Sequence, residues 1–302
     1  MRATFVLLTL MLTAAASSFA AGPGDTPSTT RQLRNTVGAS VNNAGLQNQM
    51  ELTWRTPTTA SENPLMRDAH IAFGVTNAVS PSYARGGAWF EVAPASVAAL
   101  RVGVEPTAYF GTFNSLMPFA SASAPFDNDS RDARKGEAGR GAAVRLYASP
   151  TLRFKAGPVA AQSSLDLEWW RASAGPYFYE PGRDTLLRSS GGRLAAGTTA
   201  VMLQRERGDH RTSVGMLHRL LRVADAPQNR ATQLGVLVSR EYQAHRFGLS
   251  RPSVVLAVGK YLDHPSRAHQ TTASLGISFD LQSPRASRAA RERPRVFPLV
   301  PQ

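Results

Sequence analysis

Apolar and polar residues alternate with a period of two from about residue 33 to residue 281, in runs separated by turn-rich segments. Leu46, Met50, Leu52 and Trp54 share one face of a run, with Asn48 its single polar exception, while Gln47, Gln49, Glu51, Thr53 and Arg55 share the other. Ala273, Leu275, Ile277, Phe279 and Leu281 alternate in the same way with Ser274, Gly276, Ser278 and Asp280. No helical period is sustained. The runs predict strands near 45–55, 69–78, 86–93, 97–109, 141–157, 160–172, 194–205, 211–223, 231–243, 252–262 and 271–281. Residues 141–157 are interrupted by Pro150, yet Val144, Leu146, Ala148, Leu152, Phe154 and Ala156 keep one parity, so the segment reads as one long strand.

The apolar faces are nearly free of charge, which suits lipid, where Arg or Lys at mid-bilayer costs roughly 2–4 kcal/mol. No later stretch approaches the roughly 18 apolar residues of a spanning helix. Only helices and closed barrels satisfy every backbone polar group in a bilayer, so a spanning chain here must be a barrel. Bacterial single-chain barrels have an even strand count. A twelfth strand is therefore expected at Leu33, Val37, Ala39 and Val41, ahead of the turn signal Asn42-Asn43-Ala44-Gly45. The expected fold is all-β: a closed antiparallel transmembrane β-barrel over residues 33–281, of about 12 strands (range 10–14). Long connections at 110–140, 173–193, 224–230 and 263–270 then lie outside, and short ones near Pro94, Gly208 and Gly248 inside. Segment 56–68 also falls inside and is longer than a periplasmic turn should be. Strand 211–223 has no clean face, since His218 and Arg222 share parity with Val214 and Met216 while Arg211 and Arg219 occupy the other side. Trp54, Phe110, Trp169, Tyr242 and Phe279 lie near strand ends on the outward parity, as interfacial aromatic belts do.

The ends add a compartment. Arg2, the apolar run Phe5–Ala15 and Ser18-Phe19-Ala20 read as a signal peptide over 1–20, too short to span as a helix. Residues 21–32 form a linker, and the Pro- and Arg-rich 282–302 a disordered basic tail. Export to an oxidising compartment would permit disulfides, but there is no Cys, so burial or a membrane must supply the stability. The formal charge of +13 does not indicate nucleic acid: the chain is exported and its Arg residues are scattered along it. Outer-membrane lipid and the barrel-assembly machinery are the expected partners, in the cell outer membrane of a Gram-negative bacterium.

On this parity the lumen carries Glu51, Arg55, Glu91, Arg101, Glu105, Arg145, Arg153, Lys155, Asp166, Glu168, Glu241 and Asp280. Five are basic and seven acidic, so the excess positive charge belongs to loops and tail. Arg153 and Lys155 precede a hairpin into Asp166 and Glu168, which suggests cross-strand ion pairs. A lumen crossed by such pairs would be plugged or narrow. No cofactor or metal is expected: Arg131, Arg134 and Lys135 crowd the acidic run Asp127–Asp132, and His264 and His269 have no matching third ligand.

Two resemblances attach to short motifs. Glu91-Val92-Ala93-Pro94, Tyr109-Phe110-Gly111-Thr112-Phe113 and Gly175-Pro176-Tyr177-Phe178-Tyr179-Glu180-Pro181 resemble, in general pattern, segments of uncharacterised outer-membrane β-barrel proteins of proteobacteria. Phe279 and Leu281 look like the closing signal that barrel assembly reads, although the chain continues beyond them. His269-Gln270-Thr271 resembles the His-x-Ser-Asn run of outer-membrane phospholipases, with Thr271, Thr272 and Ala273 in place of the family's Ser, Asn and Gly. The leading expectation is an outer-membrane barrel with a structural or small-solute pore role. The alternatives are a phospholipase-like enzyme and a soluble periplasmic lipocalin-like binding barrel.

Overall fold

The computed structural model describes residues 28–246 and 249–282. The expected signal peptide, most of the expected linker and residues 283–302 lie outside them. Twelve long strands form the wall: β1 Thr30–Val41, β2 Gly45–Pro57, β3 His70–Val79, β4 Tyr83–Ala95, β5 Ala98–Phe110, β6 Arg140–Ala156, β7 Val159–Ala172, β8 Gly192–Arg207, β9 His210–Val223, β10 Arg230–Tyr242, β11 Leu249–Asp263 and β12 Thr271–Gln282. Each pairs antiparallel with its sequence neighbour. β1 pairs with β12 through Val37↔Ile277 and Ala39↔Leu275, which closes the sheet into a barrel. The strand expected at 33–41 is therefore present, begins three residues earlier, and supplies the closing seam.

Local chemistry explains the connections. Gly157 (φ +55) and Gly208 (φ +59) open the tight turns β6–β7 and β8–β9 in the left-handed region that other residues enter at a cost. β6 runs unbroken through Pro150, which faces Leu100 of β5. Its ladder to β7 passes from Ala148↔Leu167 directly to Thr151↔Ser164, skipping the position where proline has no N–H to give. The long β2–β3 connection folds back on the rim, where the Ser96 N–H in the β4–β5 turn donates to the Leu65 carbonyl at 2.7 Å.

Parity sorts the side chains. Val75, Phe90, Val102, Leu146, Leu165, Val201, Met216, Val236, Leu256 and Leu275 point away from the barrel and are exposed, while their strand neighbours are buried or half-buried. A continuous exposed apolar wall of this extent marks a lipid-facing surface. Asn48, the polar exception, meets Asn35 on the same face, and the two amides exchange hydrogen bonds of 3.3 and 3.1 Å. The ambiguous strand, β9, is settled by Leu217 and Leu221, which are buried inside. His218, Leu220 and Arg222 consequently face outward and Arg219 inward. Trp54 stacks on Phe73 with ring centroids 4.9 Å apart, and Arg31 lies over the Trp54 ring near the end that carries the termini.

Val236, midway along β10, is 46% exposed on this wall. Val236→Arg is expected to cost about 2–4 kcal/mol of stability in a bilayer. Urea unfolding in lipid vesicles measures it, and a cost below about 0.5 kcal/mol would contradict a lipid-facing position.

Candidate functional site

The barrel interior is divided lengthwise. The half formed by β2–β7 is crossed by ion pairs. Toward the end that carries the termini, Arg101 on β5 joins Glu91 on β4 (2.9 Å) and Glu51 on β2 (3.3 Å), with its guanidinium 3.8 Å over the Trp89 ring. That ring lies flat against β3 because residue 74 is glycine: a Cβ there would sit 2.4 Å from it. His70 joins Glu91 (3.0 Å) to Arg55 (3.1 Å).

A second network fills the half nearer the long loops. Glu168 on β7 is fully buried and accepts from Arg145 (2.9 Å), the Trp170 indole N–H (2.8 Å) and Arg183. Arg145 also pairs with Glu105 (3.1 Å), and Arg183 with Asp166 (3.0 Å). Glu180, likewise fully buried, accepts from Arg85 (2.9 Å), the Tyr109 hydroxyl (3.1 Å) and the Arg183 N–H (2.6 Å). Buried charges persist when their partners are complete, and removing one partner leaves an uncompensated ion.

Arg183 and Glu180 are not wall residues. They belong to a loop hairpin, Tyr177–Glu180 with Thr185–Arg188, whose tip at 181–184 enters the barrel mouth. Pro118–Phe119 adds a short third strand to this hairpin. Met117, Phe178, Tyr179, Leu186 and Leu187 are fully buried, so the two longest loops form a packed cap. Asp127 caps the helix α1 (Asn128–Ala133) by accepting from the Ser130 N–H (2.9 Å), and the Asn128 side-chain Oδ1 accepts from Arg267 (2.9 Å). A latch holds the tip. Asp184 accepts from the Tyr179 hydroxyl (2.6 Å) and Arg267 and lies 3.3 Å from His264 Nε2. Burial alone would raise the Asp184 pKa. The hydrogen bonds from His264 and Arg267, and the Arg267 charge, overcome this and hold the carboxyl well below the usual aspartate range.

The other half carries the Arg251–Asp280 and Arg211–Glu241 pairs toward the end with the termini, but differs nearer the long loops. Between the hairpin tip, the walls β9–β12 and the β1–β2 hairpin lies a cavity of about 400 Å³, lined by Ser40, Gln47, Arg219, Gln233, Tyr261 and Ser274 among others. Among the described residues Arg219 has no carboxylate partner. Gly235 and Gly259 face each other at the foot of the cavity, each too close to the opposite strand for a Cβ. Beyond them Met202, Leu217, Leu237 and Val255 form a buried apolar cluster.

The wall residues singled out in the sequence enter different groupings. Glu51, Glu91 and Arg101 share one network, with His70 linking Arg55 to it. Glu105, Arg145, Asp166 and Glu168 share another. Asp280 takes Gln32 (2.7 Å) and Arg251, and Glu241 lies 3.9 Å from Arg211. Lys155 is exposed at the rim and pairs with Glu206 (3.5 Å). The expected pairing of Arg153 and Lys155 with Asp166 and Glu168 does not form. Register places Arg153 opposite Gln162 and Lys155 opposite Ala160, and the two acids are claimed by Arg145 and Arg183 instead. Arg85, Glu180, Arg183, Asp184, Arg267 and Arg219 were not singled out for the interior. The hairpin tip had a signal, Pro181-Gly182 between two short alternating runs, which marks a turn. His269 is exposed at φ +66, and among the described residues its side chain has no hydrogen bond to Thr271 or any other group.

No family model and no curated protein matches the chain. Solved structures similar to it include LpxR from Salmonella typhimurium (8% identity, TM-score 0.41, covering 82% of this chain and 99% of that one). The β domain of the Bordetella autotransporter BrkA (12%, 0.38, 83% and 98%) is another. A loop L8 deletion mutant of OmpT, an outer membrane protein of Vibrio cholerae (7%, 0.37, 84% and 99%), is a third.

A carboxylate held below its ordinary value of about 3.9 adds stability above that pH, which is lost as pH falls through the folded-state value. The hairpin is therefore expected to be protected at pH 7 and to lose protection progressively as pH falls below about 4 toward the folded-state value. Amide hydrogen exchange over 177–188 reads this, and Asp184→Asn should lower protection at pH 7 and flatten its pH dependence. Equal protection of the two proteins at pH 7 would count against the latch.

Proposed function

We propose that the protein is a small-solute pore of the outer membrane whose external mouth is closed by its own loops. The observation that carries this reading is the unequal filling of the interior. Toward the long-loop end, ion pairs and aromatic rings occupy the β4–β7 side, whereas small residues leave a cavity beside β9–β12 and the β1–β2 hairpin. The cavity stops at the apolar cluster of Met202, Leu217, Leu237 and Val255. Hydrophobic constrictions of this kind gate by dewetting, and a lone cation above one biases the path toward anions. An external mouth follows from the placement of the termini and short turns at one end and the long loops at the other, the usual arrangement of bacterial single-chain barrels. Such a chain would reach its membrane through an export signal and the barrel-assembly machinery.

The buried apolar cluster favours a second reading, a barrel with a purely structural role. Catalysis of the phospholipase type has no assembled group to support it, since a nucleophile needs a base within hydrogen-bond reach.

Conductance in planar bilayers separates the readings. The wild type is expected to give small, infrequent openings, and Arg183→Ala, which frees the hairpin tip from Asp166 and Glu168, to raise open probability several-fold. Arg219→Gln should shift the reversal potential in a salt gradient toward weaker anion preference. If wild type, Arg183→Ala and a Leu217→Gly/Leu237→Gly variant are all silent while still folded, the pore reading fails and the structural one stands.

A further inference from the structure

The outer surface is not uniform around the barrel. Six consecutive strands, β6–β11, each carry one exposed basic side chain within four residues of the long-loop end: Arg140, Arg171, Arg193, Arg222, Arg230 and Lys260. Arg140, Arg171, Arg193, Arg222 and Lys260 share outward parity with Val144, Trp169, Val201, Met216 and Val258 respectively, and Arg230 shares that of Leu234. They therefore border the lipid-facing wall. The remaining strands, β12 and β1–β5, present Ala273, Val41, Leu46, Val79, Ala84 and Phe110 at the same end.

The arc is only partly neutralised within the protein. Arg193 pairs with Asp225 (3.1 Å) and Arg230 with Asp263 (2.6 Å). Arg140, Arg171, Arg222 and Lys260 have no carboxylate partner among the described residues. Arg222 and Arg230 are direct Cα partners across the β9–β10 ladder, where like charges are destabilising; Asp263 offsets Arg230, and Arg222 beside it is left without a carboxylate among the described residues. Neighbouring strands are about 5 Å apart, so cations on adjacent or next-adjacent strands span roughly 5–10 Å. A single headgroup bearing two phosphates has anions on that scale. Exposed apolar side chains lie beside the cations, with Trp169 45% and Leu262 49% exposed. They suit acyl chains below such a headgroup.

We propose that the β6–β11 arc binds a multiply phosphorylated lipid in the leaflet at the long-loop end, held chiefly by Arg222, Arg230 and Lys260 on β9–β11. This does not depend on whether the interior conducts. Apolar residues on the opposite half leave it without that affinity, so lipid of this class would gather on one side of the barrel.

The test uses the folded full-length protein in phosphatidylcholine nanodiscs, alone or doped with bisphosphorylated lipid A, monophosphorylated lipid A or phosphatidylglycerol. The temperature at which the folded gel band is lost is the readout. Bisphosphorylated lipid A is expected to raise it by several degrees and the other two by much less. The rise should vanish in Arg222→Gln/Arg230→Gln/Lys260→Gln and persist in Arg205→Gln/Arg207→Gln, which alters outer-surface charge at the opposite end. A folded band in plain phosphatidylcholine shows that the triple variant is intact. Should it fail to fold, Lys260→Gln alone is scored by the same shift. Equal rises from phosphatidylglycerol, the same rise from inorganic phosphate in the buffer, or a rise retained in the arc variant would each overturn the proposal.

Discussion

The whole molecule depends on closure of one hydrogen-bonded sheet. In hydrocarbon each unpaired backbone group costs several kcal/mol, so a sheet with free edges cannot span a bilayer. Here the last edge is removed by β1 and β12, in a ladder that brings Val37 opposite Ile277 and Ala39 opposite Leu275. Once the ring is closed, side-chain parity is fixed on all twelve strands. One face must satisfy lipid and the other must fill or line a confined space. The two demands explain why Asn35 and Asn48 bond to each other on the outer face, and why an inner glycine such as Gly74 occurs where an aromatic ring lies against the wall.

Closure also shapes the interior electrostatics. Polar side chains on the inner face are removed from most of the surrounding water, so they find partners on neighbouring strands and on the inserted loop. Arg145 illustrates this, since it bridges Glu105 on one neighbouring strand and Glu168 on the other. The wall acids outnumber the wall cations near Glu168, and the missing cation comes from a loop. Arg183 enters from the hairpin tip, satisfies Asp166 and Glu168, and thereby ties the cap to the wall. Cap position and lumen charge are thus one coupled system. The Asp184 latch to Arg267 and His264 fixes the same tip from the opposite side of the mouth.

Much of the wall was legible because period-two patterning reports directly on lipid and lumen faces. Even the weak run at Leu33–Val41 could be inferred from the need for an even count, and the strand through Pro150 from its preserved parity. The cap was not legible in this way. Phe178, Tyr179 and Leu186 are buried by contacts between distant loops, and no local period encodes such contacts. Cross-strand partners were only half legible. Arg153 and Lys155 lie near Asp166 and Glu168 in sequence, but a hairpin turning at Gly157-Pro158 sets their register four or more residues short of those acids. On β9 the faces were ambiguous because basic residues occur on both. Burial of Leu217 and Leu221 decides it, and so sends Arg219 inward and Arg222 outward.

That division of β9 bears on the formal charge of +13. Inside, the networks are close to neutral, because Arg85, Arg101, Arg145, Arg183 and Arg267 each have an acid beside them. The positive excess must therefore be carried by surfaces that meet water or headgroups, where a cation retains a solvated or anionic neighbour. Long basic side chains at strand ends can extend along apolar surface and keep their charge at the interface. Their grouping on β6–β11, against uncharged residues on β12 and β1–β5, does not follow from that rule, which would scatter them around the whole rim. A one-sided arc suits a one-sided partner, and the arc cations without a carboxylate among the described residues, Arg140, Arg171, Arg222 and Lys260, suit an anionic one.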